Sequence, residues 1–321
     1  MEAPTVLVSR RLPDSVEARL KGSFDAHLNA SDAPMSEPQL IAAVRSADAI
    51  VCTVGDRLPE AVLAARPRRV RILANFGVGY DHIDVDAARR HGVVVTNTPD
   101  VLTDDTADLA IALMLMTARR LGEGERELRA GAWTGWRPTH MMGSRLTGKT
   151  LGIIGMGRIG RAVARRARAG FAMRVVYHNT SDVPERQREG AEPRSSVDAV
   201  LAESDFVSLH VPGSPATRRL IGAGQLRSMK RGAFLINTAR GGIVDEAALA
   251  EALRERTIAG AGLDVYEAEP AVHTELTSFD NVVLLPHLGS ATHESRIAMG
   301  ERVIDNLVAF FAGEDPPDRV A

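Results

Sequence analysis

One cysteine in 321 residues, Cys52, leaves the chain without an intrachain disulfide and without a cysteine-based zinc site. That scarcity marks an intracellular protein, expected in the cytoplasm, and nothing in the sequence suggests a metal. The N-terminus MEAPTVLVSRRLPD lacks a charged stretch leading into a long apolar one. The longest apolar run, Leu109 to Met116, is far below the roughly 20 residues that a membrane span needs. An excess of either charge is missing too: 39 Lys and Arg face 41 Asp and Glu, a formal net charge of -2. There is no broad positive field of the kind that grips nucleic acid, so any anion is met by a local site. Short-period repeats and low-complexity tracts are absent, and 28 Gly with 16 Pro is too little for a linker or a collagen-like chain.

What is there is an ordinary globular composition, 45% hydrophobic and 25% charged, in a length that about 150 residues per domain divides into two. Short β-branched runs alternate with helical patterns, which predicts an α/β fold of two parallel sheets flanked by helices. The first series of runs is Thr5 to Ser9, Ala49 to Cys52, Val70 to Ala74 and Val93 to Thr96, with helical stretches at Pro13 to Lys21 and Pro38 to Ser46. The second is Thr150 to Ile154, Arg174 to His178, Phe206 to His210, Ala233 to Asn237, Gly260 to Leu263 and Val282 to Leu285. Between them Thr103 to Arg129 reads as one long helix, capped by Asp104, Asp105 and Thr106, and as a hinge. Near the C-terminus, Thr292 to Phe311 is an amphipathic helix able to return to the first series. The arginine clusters at 66–71 and 165–168 read as solvated faces.

The strongest local signal is TLGIIGMGRIGRAVARRARA, a strand running into Gly155, Gly157 and Gly160 and then into a helix. The first glycine permits the tight turn, the second lets backbone approach a pyrophosphate, and the third allows close helix-to-strand packing. The helix N-terminus, with Arg158 and Ile159 in its first turn, faces the anion. Set between a strand and a helix, the motif predicts dinucleotide binding. At the end of the next strand, where a carboxylate would bind the ribose of NAD, stands Asn179, followed by Thr180 and Ser181. Nothing there repels a 2′-phosphate, the two hydroxyls can donate to it, and Arg186 or Arg188 are near in sequence. NADP(H) is therefore preferred and NAD(H) remains possible, with Asn179 on the ribose and the arginines in solvent.

Three strand ends of the second series carry polar residues where ligands bind in open α/β sheets. They are LINTARGG with Arg240, GLDVYEAEP with Asp264 and Glu269, and LLPHLGSAT with His287. A guanidinium fork suits a carboxylate or carbonyl oxygen. A carboxylate beside an imidazole fixes its orientation and favours the imidazolium as an acid. His287 sits in loop chemistry after Pro286 and before Gly289, whereas His210 reads as structural or cofactor-adjacent at best and His178 as a flank of the adenosine. Together an anchor, a tuner and a proton donor suit the reduction of a keto acid.

At these residues the chain resembles the D-2-hydroxyacid dehydrogenases, in order from VTNTPDVLTDDTADLA through GIIGMGRIG, INTARGGIVDE and GLDVYEAEP to LLPHLGSAT. The stretch WTGWRPTHMMGSRLTG most resembles the glyoxylate/hydroxypyruvate reductase branch, whose usual reductant is NADPH. The resemblance implies a Rossmann-type cofactor domain, 100–288, inserted in a flavodoxin-like substrate domain, 1–99 plus 289–321, with hinges near Pro99 and Gly289 and the substrate in the cleft. It implies that Arg240 contacts the substrate, that His287 is the general acid, and that Glu269 is its partner, with Asp264 influencing the pH response. Backbone amides of Val78 and Gly79 would hold the substrate carboxylate, and Thr106, Val211, Pro212, Thr217, Thr238, Ala239, Asp264, His287 and Gly289 would border the cofactor. The family is dimeric, and in the reductase branch a Trp matching Trp136 reaches toward the other subunit's site. Two alternatives stay open: an NAD-dependent dehydrogenase of another D-2-hydroxy acid, such as D-lactate, D-glycerate or D-3-phosphoglycerate, and a nucleotide-sensing corepressor-like protein. The absence of an appended regulatory segment argues against the sensor.

Overall fold

A computed structural model describes residues 3–321. The chain runs β1 (Thr5–Val8), α1 (Asp14–Ser23), β2 (Asp25–His27), α2 (Glu37–Ser46), β3 (Ala49–Cys52), α3 (Glu60–Leu63), β4 (Ile72–Asn75), α4 (Val85–Arg90) and β5 (Val94–Thr96). It continues through α5 (Thr103–Ala118), α6 (Leu121–Arg129), β6 (Thr150–Ile154), α7 (Arg158–Phe171), β7 (Arg174–His178) and β8 (Glu192–Pro193). Then come α8 (Val197–Glu203), β9 (Phe206–Leu209), α9 (Ala223–Ser228), β10 (Phe234–Asn237), α10 (Glu246–Arg254), β11 (Gly260–Leu263), β12 (Val282–Leu284) and α11 (His293–Phe311). Two compact units result: one combines the segment up to Leu102 with Ala291–Ala321, and the other is Thr103–Ser290. Residues 100–102 thus group with the first unit and Gly289 and Ser290 with the second.

The first unit holds a five-stranded parallel sheet in the order β2-β1-β3-β4-β5, a flavodoxin-like winding. Its central strands AIVC and ILAN are apolar without alternation because helices cover both faces, and every residue of each is buried. Leu40, Val44, Ile50, Leu58, Leu63 and Leu73 form the core on one side. The C-terminal helix α11 belongs to this unit, started by Thr292, whose side chain accepts from the Ser295 amide at 3.0 Å.

The second unit is a seven-stranded parallel sheet, β12-β11-β10-β9-β6-β7-β8, the doubly wound order of Rossmann sheets. Its winding reverses between β6 and β9, so the loops after these strands border the crevice where such sheets bind ligands.

Three expectations need correction. The stretch 103–129 is two helices, because Arg120 takes a left-handed φ of 55° and its guanidinium grips Glu123 at 2.6 Å, starting α6 afresh. Thr106 does not cap α5; it is buried, and its hydroxyl donates to the Gly289 carbonyl at 2.9 Å. The arginines of α7 are more than a solvated face: Arg165 and Arg166 pair with Asp104, and Arg166 also with Asp108, tying α7 to α5. Strands β2 and β8 had no sequence signal, since DAH and EP are short, polar edge segments.

Candidate active site

The loop after β6 has the shape its glycines imply. Gly155 takes φ +97°, and a Cβ there would stand 2.6 Å from the His210 carbonyl oxygen. A Cβ on Gly160 would collide with the Gly155 carbonyl, so only glycine lets α7 sit this close to β6. Gly157, in contrast, faces open space, which leaves its backbone approachable by a bulky ligand. Arg158 and Ile159 open α7, whose first-turn amides lack intrahelical acceptors and favour an anion. These residues fit the diphosphate of a dinucleotide.

Beyond β7, Asn179 accepts from the Met156 amide at 3.0 Å and donates to the Ser181 carbonyl and hydroxyl, each at 2.9 Å. It therefore braces the glycine loop from within while Thr180 and Ser181 lie exposed beside it. Arg188 is tied to its own loop, donating to the Val183 carbonyl at 2.8 Å, and Arg186 is exposed. After β9, Val211 and Pro212 begin a turn that Thr217 closes on itself, its hydroxyl donating to the Pro212 carbonyl at 2.7 Å. His210 accompanies this turn as a structural residue: it meets the Ser208 hydroxyl at 2.8 Å, and burial pushes its pKa down to about 4.

The polar cluster forms at the carboxyl ends of β10, β11 and β12. After β10, the Asn237 side chain accepts from the Ala239 amide at 3.0 Å and donates to the Arg240 carbonyl at 2.9 Å, which bends the chain through Thr238 and Ala239 and presents Arg240. The Thr238 hydroxyl is buried without a partner, an orphan that a ligand can satisfy. After β11, Glu269 takes the Tyr266 amide on Oε1 at 3.0 Å and His287 Nδ1 on Oε2 at 2.8 Å. Burial pushes the Glu269 carboxyl up, but the His287 hydrogen bond and charge, the Tyr266 amide and the Arg240 guanidinium outweigh it and hold its pKa below the ordinary value. It is an ionised acceptor. The Arg240 contribution also shows that guanidinium, carboxylate and imidazole share one electrostatic neighbourhood.

His287 occupies a left-handed backbone conformation, φ 56°, uncommon for a residue with a side chain. Its turn is held by Asp264, which is fully buried. The Asp264 carbonyl accepts from the His287 amide at 2.9 Å, and its carboxylate oxygens accept from Leu288 at 2.7 Å and Gly289 at 2.8 Å. Burial raises the Asp264 pKa above the usual range despite these amides. With both oxygens engaged, Asp264 holds the His287 loop. Tyr266, which the sequence did not single out, supports the same turn by donating to the Leu285 carbonyl at 2.7 Å.

In the first unit, Val78 and Gly79 follow β4. The carbonyls of Gly77 and Gly79 accept from the Asn75 side chain, each at 2.9 Å, and that of Val78 from the Asn97 side chain at 2.9 Å. The amides of Val78 and Gly79 have no acceptor among the described residues. Asn75 and Asn97 are the residues that aim this loop, and their place at strand ends was the available signal. Trp136 lies in the irregular segment after α6 and is 82% exposed. Among the described residues no group of three or more His, Cys, Asp or Glu side chains is arranged to hold a metal ion, and no helix is long and apolar enough to cross a membrane.

A family model described as the NAD-binding domain of the D-isomer-specific 2-hydroxyacid dehydrogenases matches residues 111–289. The chain is 49% identical over 322 residues to a glyoxylate reductase of Thermococcus kodakarensis, covering 99% of this chain and 96% of that protein. A glyoxylate reductase of Pyrococcus furiosus is 46% identical, with 99% and 95% covered. Among solved structures, an NADPH-dependent glyoxylate/hydroxypyruvate reductase from Sinorhizobium meliloti, in complex with NADP and malonate, superposes with a TM-score of 0.90 at 39% identity, covering 100% of this chain and 97% of that one.

Proposed function

Because the chain belongs to the glyoxylate reductase branch of the D-isomer-specific 2-hydroxyacid dehydrogenase family, we propose that it reduces glyoxylate and hydroxypyruvate to the D-2-hydroxy acid with NADPH. The observation that carries the reading is the 2.8 Å contact of His287 Nδ1 with Glu269 Oε2, under the charge of Arg240. When bound, the dinucleotide supplies the hydride. Gly155, Gly157, Gly160 and the start of α7 hold its diphosphate, and Thr238 and Ala239 border it.

The protein's own groups do the rest. Arg240 binds the substrate carboxylate and the keto oxygen and stabilises the charge that develops on that oxygen. His287 donates Nδ1–H to the ionised Glu269, so Nε2 is the nitrogen that delivers a proton to the oxygen. Asp264 keeps the imidazole in place by anchoring its loop.

The NADPH preference rests on Asn179, which puts an amide where a carboxylate would repel a 2′-phosphate, with the exposed Thr180 and Ser181 next to it. A cytoplasmic homodimer completes the proposal. Leu128, Trp133, Trp136 and Met142, on α6 and the segment after it, are 63%, 51%, 82% and 68% exposed, the kind of apolar surface that marks an interface. Light scattering that finds a monomer removes this part.

The experiment is oxidation of NADPH, and of NADH in parallel, by purified protein with glyoxylate, hydroxypyruvate and pyruvate. Turnover of glyoxylate or hydroxypyruvate with NADPH favoured is the expected result. Silence with every keto acid, together with tight dinucleotide binding, overturns it in favour of a nucleotide sensor.

A further inference from the structure

Glu246 is the first residue of α10, immediately after the cap Asp245, whose side chain accepts from the Ala248 amide at 3.1 Å. An acidic residue in a first helical turn is favoured there by the helix N-terminus alone, and its side chain normally stays in water. Glu246 departs from that pattern: it is 6% exposed, and its Oε1 accepts from the Glu267 amide at 2.7 Å. Withdrawing a carboxyl group from water is costly and is offset where a specific donor meets it. The donor here belongs to the loop that carries Glu269.

Two consecutive amides of that loop are spent on carboxyl oxygens. Tyr266 donates to Glu269 Oε1 at 3.0 Å and Glu267 to Glu246 Oε1 at 2.7 Å, while Glu269 Oε2 meets His287 Nδ1 at 2.8 Å. Glu246 itself follows the turn that begins at Arg240, and that turn lies directly on the same loop: a Cβ on Gly241 would collide with the Tyr266 carbonyl and the Glu267 amide. The buried Glu246 bond therefore fastens the segment presenting Arg240 to the segment presenting Glu269. A second link runs outside it, from Arg219 to Glu267 Oε1 at 2.9 Å and to Asp245 at 3.4 Å. The Arg219 side chain is 49% exposed, and ion pairs in water contribute little.

We propose that Glu246 is a positioning residue for the reduction: by holding the Glu267 amide it fixes the Glu269 carboxylate at hydrogen-bond distance from His287 and keeps that pair beside Arg240. It acts through the loop and not on the reacting atoms. Its meaning for turnover rests on the reductase reading; the fastening of the two loops is a property of this unit alone.

The test compares three variants of the full-length protein by steady-state kinetics with NADPH and glyoxylate, by melting curves and by crystal structures. Glu246→Met has similar length and no acceptor, Glu246→Gln keeps an acceptor oxygen for the amide, and Arg219→Gln removes the outer link. The Met variant is expected to lose about tenfold to a hundredfold in kcat, the effect of a displacement on the order of 1 Å, with KM changed less than kcat. Its His287–Glu269 separation is expected to exceed about 3.5 Å. Gln restores most of kcat and the closed pair, and Arg219→Gln leaves both near wild type. A Met variant with wild-type kcat, or with the pair intact, overturns the proposal. Equal loss in Met and Gln with lowered melting in both also overturns it, since that is the mark of a packing role. So does a loss in Arg219→Gln as large as in the Met variant, which moves the fastening to the outer link. Wild-type protein that reduces no keto acid removes the reductase reading, and the crystal structures then decide the positioning by themselves: an opened pair in the Met variant upholds it and a closed one overturns it.

Discussion

Asp264→Asn asks whether a buried charge holds His287, the proposed general acid, in place. The wild-type carboxylate accepts the Leu288 and Gly289 amides at 2.7 and 2.8 Å. Asparagine keeps one acceptor oxygen and sets an amide group against the second donor. Losing a hydrogen bond to a charged acceptor costs about 1.5–3 kcal/mol, and relief from burying the charge returns part of it. A net loss of about 1–2 kcal/mol lowers the melting temperature of a unit this long by roughly 2–8 °C. The larger effect is on catalysis, because a shift of about 1 Å in the His287 imidazole lowers kcat on the order of 100-fold. Scanning calorimetry and steady-state kinetics read the two effects separately. A variant with unshifted melting and kcat within about twofold of wild type refutes the anchoring role.

The same residue has a pH signature. Burial raises its folded pKa, so protonation begins above the ordinary aspartate range and removes one acceptor from the loop. The wild-type kcat profile therefore has an acidic limb that the Asn variant lacks. For stability, a raised folded pKa gives a contribution that is present below the unfolded value and lost as pH rises through the folded one. Glu269 has the opposite sign: its pKa is depressed, so its contribution is present above the unfolded value and lost as pH falls through the folded one.

Three more outcomes follow. His287→Ala lowers kcat about 10²–10⁴-fold while NADPH affinity, read by fluorescence titration, stays unchanged, and undiminished turnover removes the acid assignment. Asn179→Asp keeps the acceptor for the Met156 amide but adds a charge, so the ratio of kcat/KM with NADPH to that with NADH falls; an unchanged ratio places the phosphate contact elsewhere. Gly160→Ala forces α7 away from the Gly155 carbonyl and weakens both dinucleotide binding and melting, whereas Gly157→Ala, whose Cβ meets nothing within 4 Å, leaves melting unchanged and affects binding alone.

Much of this was legible before any coordinates. Apolar runs such as AIVC and ILAN mark strands covered on both faces, and the glycine spacing after Thr150–Ile154 marks a strand-turn-helix of the kind that suits a diphosphate. Arg240, Glu269 and His287 stood out as candidates because each lies in a loop that follows a strand, where chain direction places residues at the ligand edge of a parallel sheet. Local pattern failed where the deciding interaction is long-range or idiosyncratic. The break at Arg120 depends on one left-handed residue inside a helical pattern, and strands β2 and β8 exist only because a neighbouring strand offers hydrogen bonds to polar segments. The same limit applied to Thr106, Asp264 and Tyr266, whose partners lie 183, 24 and 19 residues away and whose bonds shape the turn that carries His287. Residue type and spacing determined the class of chemistry, because periodicity and strand-end position are local properties of a chain. Which polar groups are spent inside the protein and which stay available for a ligand was decided only by tertiary structure, because a hydrogen bond is satisfied by whatever the fold brings within 3 Å, at any distance in sequence.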